Sequence, residues 1–130
     1  MVVFVQRDAP LAILDFLQSA SFLDGIKITT NTDHSFSIHD GPYVVVESDG
    51  TPAGGRATAT EIVRVAVFSK WRPEARSLAA WIEGYLLDPK HTTGFSPNPG
   101  HNLFVTDDPT TGGFTASVGI RLAGTKIGVI

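Results

Sequence analysis

Apolar positions along the chain switch between two periods, and the switches outline its elements. Ile13, Phe16, Leu17 and Ala20 recur at the three-to-four spacing of an amphipathic helix, with Asp15 and Gln18 on the opposite side. Asp8 precedes them as a capping acceptor, and Pro10 stands in the first turn, where its missing N–H costs nothing. With Gly25 as the stop, the pattern predicts a helix over about residues 9–22. A second stripe, Ala75, Leu78, Ala79, Ile82, Tyr85 and Leu86, follows Pro73 and Glu74 and ends at Asp88 and Pro89. Trp81 falls on the flank of that stripe.

Elsewhere the period drops to two. Residues 26–30 and the β-branched run 43–47 read as short strands, and residues 103–106 as another. From Phe114 to Leu122, apolar Ala116, Val118 and Ile120 alternate with Thr115, Ser117, Gly119 and Arg121, as in a strand with one buried face. Residues 58–70 are almost free of breakers and predict a strand about twice the usual five to six residues. A strand that long is expected to overhang its sheet, so that the hairpin over residues 44–70 projects as an arm. Residues 31–41, 49–55, 89–102 and 107–113 carry the breakers and read as loops and turns. For residues 1–7 a strand, an arm and disorder all remain open. The order α-β-β-β-α-β-β predicts one α+β domain over residues 1–130: a mainly antiparallel sheet of about five strands with both helices on one face.

Composition adds exclusions. The 130-residue chain is 42% hydrophobic but only 18% charged, below the roughly 25% of an average soluble domain. A surface so poor in charge is expected to be partly covered by other subunits. The absence of cysteine excludes disulfide scaffolds, thiolate metal sites and cysteine nucleophiles. No run approaches the ~18 apolar residues of a membrane span, and residues 1–5 are too short for a secretion signal, so no membrane partner is expected. A net charge of -3 and a pI near 5.7 argue against a free-standing nucleic-acid binder. The charge is uneven. Residues 1–50 hold seven carboxylates against Arg7 and Lys27, whereas residues 51–90 hold six basic residues against four acidic ones. That split suits a protomer meeting a copy of itself head to tail.

Candidate chemistry is sparse. Asp33 and His34 flank one end of a loop segment and His39 and Asp40 the other, but the histidine spacing matches no standard metal site. His91 and His101 fall in loop sequence. Ser69, Ser77 and Ser96 lack a nucleophile-elbow context, and between Gly119 and Lys126 the lysine does not directly follow the second glycine, as a phosphate loop requires. No catalytic residue, metal ligand or cofactor is expected. Lys70, Arg72 and Arg76 around Trp71 have the composition of a strand grip, but read best as a corner of solvated cations with Trp71 tucked over the core. Trp81 has more of an interface character, since tryptophan at the edge of a buried stripe can anchor a partner, although the core is its more ordinary place.

The block over residues 65–87, VAVFSKWRPEARSLAAWIEGYLL, resembles tail terminator proteins of long non-contractile-tailed phages, especially those of actinobacterial hosts. The closing hairpin resembles them too, from residues 103–106 through the turn to 114–122. The similarity covers roughly residues 58–122 and the element order of the rest; it is one of pattern and includes no diagnostic motif. It implies a small α+β virion protein, assembled in the host cytoplasm, that forms a homohexameric ring on the last ring of tail-tube subunits. Such a ring stops tube growth and presents the surface to which the head-side connector joins, with DNA passing through the lumen unread. The resemblance implies no enzymatic activity and no cofactor. On the residues themselves, Arg56 and Arg64 on the long hairpin are expected to meet acidic residues of an adjacent copy, with Trp81 as a further interface residue. Two alternatives stand beside this reading: a head-closure or connector-adaptor neck protein, and a small binding domain unrelated to phage.

Overall fold

The computed structural model describes residues 2–30, 37–51, 55 and 59–129. The first helix, α1 (Ala9–Gln18), begins as its sequence dictates: the Asp8 carboxylate accepts from the Leu11 N–H at 3.1 Å, with Pro10 in the first turn. It ends sooner than expected, because a separate 3-10 turn (Ser21–Leu23) carries the remaining apolar residues down to the core. The second helix, α2 (Arg72–Leu87), has no capping side chain of its own at Trp71. Ser69 secures the corner instead. Its hydroxyl donates to Glu74 Oε1 at 2.6 Å and accepts from the Trp71 N–H at 3.1 Å.

Seven strands complete the chain: β1 (Val3–Gln6), β2 (Lys27–Thr29), β3 (Tyr43–Gly50), β4 (Thr60–Ser69), β5 (Ser96–Asp108), β6 (Gly113–Ala123) and β7 (Lys126–Val129). Five form the main sheet in the order β2-β3-β4-β6-β5, antiparallel except for the parallel β2–β3 pair. Both helices cover one face, α1 over β2, β3 and β4, and α2 over β4, β6 and β5. Period two explains the core. Val44 and Val46 of β3, Val63, Val65 and Val67 of β4, and Ala116, Val118, Ile120 and Leu122 of β6 point at Ile13, Leu17, Ala75, Ala79, Ile82 and Leu86. The fold is α+β in a single small domain, as the element order predicts.

Three sequence expectations need correction. The long strand does not overhang: β4 pairs with β6 along its whole length, from Thr60 opposite Ala123 to Ser69 opposite Phe114. Its length is used at the centre of the sheet, flanked by two strands of comparable reach. The hairpin tip, including Arg56, lies outside the described residues. Residues 96–102 are strand rather than loop despite Pro97 and Pro99, because β5 is an edge strand. Two residues apart, the prolines put both missing N–H groups on the same side of the strand, where an edge needs no ladder bond. Finally, the chain ends build a second sheet. β1 and β7 pair antiparallel, Val3 opposite Val129 through Gln6 opposite Lys126, as a two-stranded ribbon apart from the main sheet.

The ribbon is anchored at its base. Gly124, at φ 77°, turns the chain from β6 toward β7, a left-handed conformation that glycine adopts freely. The Arg7 guanidinium lies 3.8 Å from the centroid of the Phe95 ring and donates to the carbonyls of Gly94 at 2.8 Å and Gly124 at 3.4 Å. Gln6 donates to buried Glu61 at 3.2 Å, and Lys126 to the Gly55 carbonyl at 2.7 Å.

Candidate functional site

Among the described residues no three histidine or carboxylate side chains gather as a metal ion would need. His39 and Asp40 are exposed on a 3-10 turn (Ile38–Asp40), and their sequence partners Asp33 and His34 lie outside the described residues. His101 is on strand β5, not in a loop, and its Nδ1 faces the Asn102 carbonyl at 3.2 Å. Its ring lies over the backbone of Gly119, where any Cβ would collide with it.

That histidine closes a polar row across the open face of the main sheet. Pairing puts Glu47 opposite Arg64, Arg64 opposite Gly119, and Gly119 opposite His101. Arg64 donates to Glu47 at 2.9 Å and lies 3.5 Å from Asp49, which is 3.8 Å from His101 Nε2. Arg64, expected to reach an adjacent copy, is thus engaged with two carboxylates of its own chain. Partly exposed pairs of this kind contribute little to stability. Next along the same face, Tyr43 stacks on Phe68 with centroids 4.8 Å apart, in a cluster with Ile38 and Val45. Burial, and secondarily the negative charge of Asp108, push the Tyr43 hydroxyl above its usual pKa of 10.0.

The two tryptophans are both outside the core. Trp71 is 62% exposed, with the Lys70 ammonium 5.6 Å from its ring centroid, and does not tuck inward. Trp81, 64% exposed, forms a wall of a groove of about 800 Å³ between α2 and the turn that follows α1. Phe22 tilts against it at 5.6 Å and meets Tyr85 edge-on at 5.7 Å. Tyr85 is fixed on two sides. Its hydroxyl donates to Ser19 Oγ at 3.2 Å, since that oxygen already donates to the Phe16 carbonyl. His91 stacks flat on its ring at 3.8 Å and donates from Nδ1 to the Tyr85 carbonyl at 2.9 Å, because a carbonyl can only accept. Gly84 opens the floor: a Cβ there would meet nothing within 4 Å. A mid-helix glycine costs about 1 kcal/mol relative to alanine, so packing within the monomer does not account for it.

The second surface is the ribbon. Val3, Val5, Ile127 and Val129 share one of its faces by register and are 46–53% exposed. Of the nine large hydrophobic side chains exposed among the described residues, five, including Val2, belong to this ribbon or its start. A two-stranded ribbon is at best marginally stable in water unless its face is covered.

No family model matches the chain, and no curated protein sequence does. What the geometry offers is recognition of apolar surface. The aromatic groove and the aliphatic ribbon are unlike one another, and α1 separates them. The ribbon base adjoins its first residue and the groove begins just past its last, about 15 Å away at 1.5 Å per residue. Of the sequence candidates, Trp81 lies in the groove, Arg64 lies on the other face of the sheet, and Arg56 is outside the described residues. Phe22 and the ribbon residues were not singled out by the sequence, and His91 only as a histidine in a loop. The turn after a helix and the two chain ends carry no periodic signal that would mark them.

Proposed function

We propose that this protein is a tail terminator of a long non-contractile-tailed phage, a structural virion protein that assembles as a ring. It caps the tail tube, ends tube polymerisation and provides the surface for head attachment. The reading starts from the resemblance of residues 65–87 and of the closing hairpin. One structural observation carries it further: a single chain leaves two unlike apolar surfaces uncovered, at opposite ends of α1. Unlike patches on one protomer favour heterologous, head-to-tail contacts, and such contacts close into rings when the rotation permits. The low charge content and the acidic-to-basic division of the sequence agree with a protomer flanked by its own copies.

Disrupting the gene in the phage that carries it, and imaging the lysate by negative-stain electron microscopy, tests the role. Overlong, headless tubes are the expected result. Tails of normal length lying loose beside heads would place the protein on the connector side of the neck. Intact virions would end the virion reading.

A further inference from the structure

We infer that the ribbon of one copy seats its aliphatic face, Val3, Val5, Ile127 and Val129, in the Phe22–Trp81–Tyr85 groove of the next copy. The ring reading supplies the expectation that copies meet, and the inference deepens it by naming the two surfaces that touch. Both surfaces are free of formal charge: the ribbon face is aliphatic, and the groove is lined by aromatic, small and hydroxyl side chains with His91 at one end. Their sizes agree. A groove of about 800 Å³ has room for four branched aliphatic side chains. A four-residue strand pair spans about 10 Å along its axis, with its strands about 5 Å apart.

The contact has to form between molecules. Arg7, Gln6 and Lys126 hold the ribbon base to Gly94, Gly124, Glu61 and Gly55, beside the first turn of α1, while the groove lies past its last turn. A ribbon so fixed cannot fold back onto its own groove. Each copy therefore offers one ribbon and one groove to different neighbours, in equal number by construction of the chain. The open floor at Gly84 fits this use, because a side chain there would stand where the ribbon's β-branched residues enter. A contact of this size is smaller than a standard interface of about 1,600 Å², so a single one is weak and gains strength when several close together.

The absence of cysteine makes the contact directly testable by cross-linking. Val5→Cys and Ser21→Cys variants, the latter an exposed lining residue of the groove, are prepared separately and mixed as concentrated protein with a short bis-maleimide linker. An Asp15→Cys variant, exposed on α1, serves as control. The expected result is a species at twice the 13.9 kDa of the chain in the mixture, several-fold above either variant alone. The Val5→Cys, Ser21→Cys double variant is expected to give a ladder of higher multiples. Should Val5→Cys alone dimerise as strongly as the mixture, ribbons pair with each other and the inference is overturned. A mixture that cross-links no more than the control overturns it as well. Ile127→Cys with Ala80→Cys, another lining residue of the groove, repeats the test if either first variant misfolds. Purified copies are used without any tail component, so failure here is distinguishable from failure of the terminator role in the phage.

Discussion

Tyr43 lies stacked on Phe68 beneath Ile38, where both burial and the charge of Asp108 oppose its ionisation. Its folded pKa is therefore above the unfolded value near 10.0, and the sign of the linkage follows. The contribution is fully present below pH 10 and is lost as pH rises through the folded pKa, because the unfolded chain releases the proton first. Urea unfolding between pH 8 and 11 is expected to show stability falling less steeply in Tyr43→Phe than in the unaltered protein. Parallel pH profiles would contradict the burial of that hydroxyl. None of this was legible from residues 43–47, which read only as a β-branched strand. The Arg64 pairing was equally hidden, since it depends on a hairpin register that the breaker-rich residues 49–55 do not fix. Trp81 was visible as a flank residue because helical spacing alone sets its angle from the stripe, whereas its neighbour Phe22 comes from a different element.

The elements were legible in proportion to their periodicity. Residues 114–122 alternate without a break and became β6 with one residue added at each end. Residues 96–102 contain two prolines and became strand all the same, because only the sheet order shows that β5 is an edge. The ribbon was the hardest to read: β1 and β7 are short, nearly uniform in polarity, and pair across almost the whole chain. Arg7 is one of three side chains that join that ribbon to the body, bonding to two carbonyls and lying over Phe95. Charge-assisted bonds and a cation–π contact together are worth about 2 kcal/mol. Arg7→Ala is expected to lower unfolding stability by about that amount and to speed amide exchange in residues 3–6 and 126–129 more than in β4 or β6. Uniform loss of protection across both sheets would show that the ribbon and the main sheet open as one unit.

At the scale of the whole molecule, the sheet and its two helices bury one face well and leave the exposed apolar surface at the periphery. The proposed capping role would ask for a rigid body with contacts on several sides, and the central β4 is paired on both edges. The groove and the ribbon give two of the sides, and the open sheet face with its Glu47–Arg64–His101 row gives another surface of different character. The proposed role makes a direct demand on tube length. Purified protein is added at rising ratio to polymerising tube subunits of the phage that carries the gene, and tubes are measured by electron microscopy. Tubes that shorten as the ratio rises, with ring-shaped density at one end, are the expected result. An unchanged length distribution with bare tube ends would contradict the terminator role.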